Sequence, residues 1–332
     1  MRKTIERAFC TAVIALLATG MGNAAEFTMT IGTGAASNGN ICDGYIDVWA
    51  EKIKQESGGR IDYELYCDGT LAKFGDGVAR VAAGIADVTW DHPAAYGARF
   101  AGINTIGVPN LYSDSVVAAG ALWNAYESGA LGKDENIKII AFQPPENNAL
   151  WTSKPMADPA VPEGMKFGMG SQMRAIVLDN MGVVPVSLRV FEYYQGLSKG
   201  AVDGLMTTAG AIFDFKIEEL ITDVYLGSFG GGTSFVVMSQ EFYDGLPDDL
   251  KKVIDQNSGY QASRDAAAYL KKSERELVAG TSIAVHELSD EQMANWVPAL
   301  QAAREYFISQ SEENKSYLET LEAAIAAEEA KM

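Results

Sequence analysis

Histidine is nearly absent from this chain. Of its 332 residues two are histidine, His92 and His286, so a multi-histidine metal centre cannot be built. Cysteine is scarce too, and Cys10, Cys42 and Cys67 never approach the C-x-x-C spacing of a metal or redox motif. There is no G-x-S-x-G elbow, no G-x-x-x-x-G-K-[ST] phosphate loop and no H-E-x-x-H helix. Basic residues number 26 against 44 acidic ones, a formal net charge of −18 that repels nucleic acid and anionic lipid surfaces. Beyond the amino terminus no run is long and apolar enough to cross a bilayer. The acidic residues do not by number alone identify a glycosidase carboxylate pair, so an exported hydrolase or lyase stays a remote alternative. Neither a cofactor nor a metal is expected, and the absence of catalytic constellations suits a binder.

What is present is ample core material: 48% hydrophobic and 10% aromatic residues, enough for one large core or two moderate ones, and the mixed strand and helix signals favour two lobes. Residues 1–25 are set aside first. Arg2, Lys3 and Arg7 precede an apolar run over 9–17, and small residues lead to Asn23-Ala24-Ala25. This is the layout of a cleavable secretory signal cut near Ala24 or Ala25, with an uncleaved membrane anchor as the alternative. Its loss takes away Arg2, Lys3, Arg7 and Glu6 and moves the formal charge from −18 to −20. In an oxidising compartment Cys42 and Cys67 are a candidate disulfide, one opening the first long helix and the other ending the second strand. Two free buried thiols are the alternative.

The pattern along the chain is α/β. An alternating strand over 27–32 breaks at Gly32-Thr33-Gly34-Ala35-Ala36-Ser37, before a helix over about 42–57. The loop nearly matches G-x-G-x-x-G, but the third glycine is missing and a nucleotide is not expected outside the cytoplasm; a loop lining a ligand crevice fits better. Strands follow at 61–67 and 87–90. The second of these runs into Trp90, Asp91 and His92, with Tyr96 beyond, at a strand's carboxyl end where such sheets bind ligands. Core packing competes for Trp90 and Tyr96, and a turn cap beside Pro93 competes for Asp91 and His92. A strand at 137–142 precedes a proline-bearing loop. Lobe crossings are expected near 142–151 and 206–213, with a third passage after 235–238. Helices are predicted at 248–279, 290–309 and 316–331, with a short strand at 282–287.

The stretch 163–208 organises the rest. It reads as a strand (165–169), a helix with Ser171 as N-cap and Gly182 as stop, a strand (183–187), a helix (191–199) and a strand (201–206). Two crossovers of this length imply parallel strands opening on one crevice. The ordered set Gly164-Met165-Lys166-Phe167, Met181-Gly182, Val184-Pro185-Val186, Leu197-Ser198-Lys199-Gly200 and Ala201-Val202-Asp203-Gly204 resembles the solute-binding proteins of tripartite ATP-independent periplasmic (TRAP) transporters, the DctP-like family. Ser57-Gly58-Gly59-Arg60-Ile61, Gly69-Thr70-Leu71, 83–87 and 241–254 extend the resemblance over nearly the whole mature chain. It implies a two-lobe periplasmic binding protein-like fold, each lobe a doubly wound sheet flanked by helices. In that frame 26–148 is lobe I, 149–208 the lobe II core, 209–240 the hinge-crossing and return strands, and 241–332 the C-terminal helices packing across the lobes. It further implies a periplasmic receptor, not an enzyme, that closes on a small organic solute and delivers it to the small and large membrane permease subunits. A receptor for an ATP-driven importer or a sensor is the rival reading.

The chain departs from that family where its members hold acids. Most close the strand G-x-K-[IL]-R with an arginine that grips a carboxylate; the matching run here ends in Gly168. A second family arginine would fall near 149–152 and is missing, and the family's Gln-Glu-Asn after Asp203-Gly204 is Leu205-Met206-Thr207. Two lost forks, at roughly 1.5–3 kcal/mol per charged bond, predict a neutral or cationic solute. Its counter-charge would be Asp91, inside walls drawn from Trp90, His92, Tyr96, Trp151, Phe167, Phe213 and Phe229, with Gly168 and Thr207 alongside. The alternative is an organic acid held by a relocated arginine, Arg174, in the first turn of the helix after Gly170-Ser171.

Overall fold

A computed structural model describes residues 25–332; the predicted signal segment through Ala24 lies outside them. Among the described residues eleven strands form two sheets: β1 (Phe27–Thr33), β2 (Ile61–Tyr66), β3 (Val88–Asp91), β4 (Ile137–Gln143), β5 (Ala149–Thr152), β6 (Lys166–Met169), β7 (Val184–Ser187), β8 (Gly204–Thr207), β9 (Asp223–Leu226), β10 (Ser234–Ser239) and β11 (Ala284–Glu287). The first sheet has the order β2-β1-β3-β10-β4 and the second β11-β9-β5-β8-β6-β7. β1 pairs parallel with β2 and β3, and β6 pairs parallel with β7 and β8, as crossovers through helices require. β10 and β5 run antiparallel to both of their neighbours. The carboxyl ends of β1, β2, β3 and β4 therefore share one edge, and those of β6, β7, β8 and β9 share an edge of the other sheet.

The lobes are joined at these edges. One crossing, residues 144–148, leaves β4 at Gln143 and enters β5; the other, 227–233, leaves β9 and enters β10. The backbone N–H of Asn148 donates to the Gly230 carbonyl at 2.6 Å and its side-chain amide donates to the same oxygen at 2.7 Å, so the two crossings are stitched together. Gly230 has a φ of 79°, and a Cβ there would come within 2.6 Å of the Gly107 carbonyl. Only glycine fits that close approach without strain.

The second crossing therefore lies beyond the expected 206–213. The chain stays in the second lobe through the helix Ala209–Asp214 and β9. With only four residues, β9 shows no readable alternation. The helix predicted over 248–279 is two, Asp248–Gln256 and Gly259–Ala279, and the last helix starts earlier than expected, at Glu312, where Ser311 accepts from the Asn314 N–H. Gly259–Ala279 packs on β4 and on the helix Ser115–Glu127 of the first lobe; Asp290–Ser309 packs on Gln172–Asn180 of the second; Glu312–Glu329 returns to Ser115–Glu127. Each lobe has its own apolar core. One cluster around Phe142, Phe235 and Leu122 and another around Ile31, Ile53 and Val236 cover the two faces of the first sheet, and clusters around Trp296 and Trp151 cover the second.

Cys42 and Cys67 are joined as a disulfide with their Cα atoms 6.3 Å apart. It ties the turn before the helix Asp47–Glu56 to the end of β2. For a separation of 25 residues, chain-entropy arguments put its contribution at about 3.5 kcal/mol. Reduction is expected to lower the stability of the first lobe by about that amount, read as a lower denaturant midpoint. Coincident curves with and without reductant would show that the bond adds nothing.

Candidate functional site

On the first lobe, the carboxyl edge carries an aromatic wall. Trp90 in β3 lies 4.9 Å from the His92 ring at 72°, and the Phe74 ring lies 5.9 Å from Trp90 and 5.4 Å from His92. Trp90 is buried, its indole N–H donating to Gln143 Oε1 at 2.8 Å, an oxygen that also accepts from the Ser234 hydroxyl at 3.3 Å. Phe74, in contrast, is 45% exposed, and His92 is exposed beside it. Although solvent reaches the imidazole, the protein on its other sides lowers its pKa, with Asp91 pulling the opposite way. Gly34 permits this packing, since a Cβ there would stand 2.7 Å from the Phe74 backbone nitrogen. Phe74 was missed in the sequence; the available signal was an aromatic residue in a glycine-bearing loop after a parallel strand.

Asp91 does not face outward. It is 1% exposed, and its carboxylate accepts from the backbone N–H groups of Gly75 (3.0 and 3.1 Å), Gly77 (3.1 Å) and His92 (2.7 Å) and from the Tyr96 hydroxyl. A Cβ at Gly77 would fall 2.4 Å from Thr89 Oγ1 and 2.9 Å from Asp91 Oδ2, so glycine is what lets this loop close on the carboxylate. Tyr96 belongs to the same network, accepting from the Val78 N–H at 3.0 Å while its ring packs on Phe100 and Phe235. Burial and the neighbouring Asp91 push its phenol upward. The expected counter-charge is thus spent inside the lobe, where it holds the 75–77 loop.

On the second lobe the carboxyl edge carries Arg174. Ser171 caps the helix Gln172–Asn180 by accepting from the Arg174 N–H at 3.3 Å, which fixes the first turn at the end of β6. The guanidinium is half-buried: Nε donates to the Ser171 hydroxyl at 3.1 Å and Nη1 to the Met206 carbonyl at 2.7 Å. Desolvation lowers its pKa and the Tyr193 hydroxyl opposes that shift. It stays a cation, as arginine does in proteins. All of these partners are formally neutral, and among the described residues no carboxylate forms a salt bridge with Arg174.

The remaining candidates divide. Thr207 ends β8 at this edge, its carbonyl accepting from the Trp151 indole at 3.0 Å, and Phe213 is half-buried in the helix after it. Trp151, Phe167 and Phe229 are core residues: each is buried, and Phe229 packs edge-on against Trp296 at 4.8 Å. β5 is buried along its whole length and β6 from Phe167 onward. At Gly168, where the resemblance leads one to expect an arginine, a Cβ would lie 2.7 Å from Leu205 Cδ2 and 3.0 Å from Leu188 Cδ1. Those leucines have taken the space of the missing side chain.

Known proteins share this architecture. A marine metagenome TRAP solute-binding protein specific for aromatic acid ligands, solved with metahydroxyphenylacetate, superposes with a TM-score of 0.81 at 23% identity, over 91% of this chain and 99% of that one. A TRAP solute-binding protein from Rhodoferax ferrireducens, solved with copurified benzoate, does so with a TM-score of 0.81 at 22% identity, over 91% and 98%. In sequence, the chain is 23% identical over 273 residues to a solute-binding protein of Albidiferax ferrireducens, 79% of this chain and 80% of that protein. The model of bacterial extracellular solute-binding proteins, family 7 (DctP), matches residues 31–310. The chain belongs to that family, the solute-binding proteins of TRAP transporters.

Proposed function

We propose that this receptor captures a small aromatic carboxylic acid between its lobes, with Arg174 as the anion anchor and the Phe74–Trp90–His92 wall as the ring subsite, and hands it unreacted to TRAP permease subunits from the periplasm. The observation that carries this reading is the guanidinium of Arg174, half-buried at a ligand-facing edge and surrounded only by neutral acceptors. A desolvated cation without a counter-ion is stabilised by an incoming carboxylate. The reading replaces the neutral or cationic solute expected from the sequence. That expectation needed an outward Asp91, whose carboxylate is already filled, and it needed rings at 151, 167 and 229 that lie in the core. The aromatic acids named for the two structural neighbours agree with an acid.

A thermal-shift screen of benzoate, 3-hydroxybenzoate and mandelate against benzamide and benzylamine tests it. A ligand at 100 times its Kd adds about 2.7 kcal/mol of stability. Stabilisation by the acids alone supports the proposal; stabilisation by the amide or amine and not by the acids would end it. The acid should be recovered chemically unchanged. Phe74→Ala is expected to weaken aromatic acids about three- to tenfold, the range of one ring–ring contact. Calorimetry showing an equal loss for a non-aromatic acid would remove Phe74 from the ring subsite.

A further inference from the structure

Glu274 lies on the helix Gly259–Ala279, which packs on the first lobe, yet its carboxylate reaches the second. Oε1 accepts from the backbone N–H of Gly210 at 2.9 Å, in the first turn of the helix that follows β8. A Cβ at position 210 would stand only 3.0 Å from that oxygen, so a bare backbone makes the approach easy. Glu274 is 4% exposed, and its Oε2 is buried without a hydrogen-bond partner. The cations of its own helix are engaged elsewhere, Lys271 with Asp114 and Glu146, and Arg275 with Glu146. The groups facing it from the elements packed around it are Glu146 in the 144–148 crossing, Asp214 at the end of the Ala209–Asp214 helix, and Tyr112 before the helix Ser115–Glu127. These are two acids and a phenol beside the hinge; Lys271 and Arg275 balance Glu146, and among the described residues no cation forms a salt bridge with Glu274.

We propose that the Glu274–Gly210 bond is a proton-dependent latch between the lobes: a neutral carboxylic acid at 274 holds the lobe arrangement described above, and loss of its proton loosens it. An ionised Glu274 would be a desolvated anion beside Glu146 and Asp214, whereas parting the lobes at Gly210 lets water reach it. Burial, with the charges of Glu146 and Asp214, raises its pKa from 4.5 to about 8 against the opposing Gly210 N–H. An acid whose pKa is raised in one arrangement favours that arrangement at low pH. The latched form is therefore fully favoured below pH 4.5 and declines up to about pH 8, with no further change above that. The limiting slope is about tenfold in population per pH unit, one proton being released per opening. The inference does not rest on the identity of the solute.

The test uses the full mature chain without solute, spin-labelled at Lys73→Cys and Lys199→Cys, exposed positions on the two lobes, with the native cysteines held in their disulfide. Interlobe distance distributions are recorded from pH 5 to 9. A distribution that shifts as pH rises toward 8, and that becomes independent of pH in Glu274→Gln, supports the latch. Glutamine keeps the acceptor for Gly210 but has no proton to lose. An unchanging wild-type distribution overturns the proposal without any variant, and an undiminished shift in Glu274→Gln overturns it by assigning the titration to another group.

Discussion

Arg174→Ala is expected to weaken binding of an aromatic acid by about a hundredfold or more, the largest loss of affinity from any single substitution in this receptor. Truncating one partner of a desolvated charge pair costs about 2–5 kcal/mol, because the other charge is left buried and unpaired. Gly168 and the 149–152 strand, where the resemblance leads one to expect arginines, supply none. Arg174→Lys separates charge from geometry. Lysine keeps the positive charge but lacks the planar fork that binds Ser171, Met206 and a carboxylate together. It should recover part of the lost affinity and none of the parallel-bond selectivity for carboxylate. Stability should fall by about 1.5–3 kcal/mol in Arg174→Ala, the worth of one charged bond to the Met206 carbonyl. Calorimetry giving the same Kd for Arg174→Ala and the parent protein would show that the acid sits elsewhere.

How much of this was legible before the coordinates depends on what kind of signal each feature leaves. Strands β1, β2, β4 and β6 lie where alternation and glycine punctuation put them, and parallel pairing of β6 with β7 and β8 follows from two helical crossovers. Arg174 was visible as a cation in the first turn of a helix with a serine cap, a local pattern that sequence carries well. The direction of Asp91 was not visible. All four residues of β3 are buried, so neither face of that strand is marked as solvent, and period-two reasoning has nothing to act on. Its partners, Gly75 and Gly77, lie 16 and 14 residues away, and only the return of the loop between β2 and β3 brings them together. Trp151 and Phe167 carry the same ambiguity: a ring in a strand covered on both faces looks in sequence like a ring at a binding site. Phe74 failed in the opposite direction, as a lone aromatic in a loop whose exposure comes from tertiary packing against Gly34.

Asp91→Ala is expected to destabilise the first lobe by about 3–5 kcal/mol, since each donor left unpaired costs about 1–3 kcal/mol and several lose their acceptor at once. As the solute's counter-charge, the role the sequence suggested, Asp91 would on removal cost affinity and leave stability intact. Three backbone N–H groups and the Tyr96 hydroxyl converge on this one carboxylate, and in the alanine variant each loses its acceptor, the Gly77 N–H in a buried position. No nearby side chain can take over, because glycine at 75 and 77 is what brought the amides in, and Gly75 sits at a φ of 86°. Asp91→Asn keeps the shape and one acceptor oxygen but turns an –NH₂ toward the same donors, so it should recover only part of the loss. The consequence for binding is indirect: the 75–77 loop carries Phe74 at its start, so loosening it should weaken an aromatic acid more than a non-aromatic one of the same charge. Urea unfolding and calorimetry on the same preparations separate the two effects. A stable Asp91→Ala variant with lost affinity would return Asp91 to the ligand site and reverse the orientation assigned to it here.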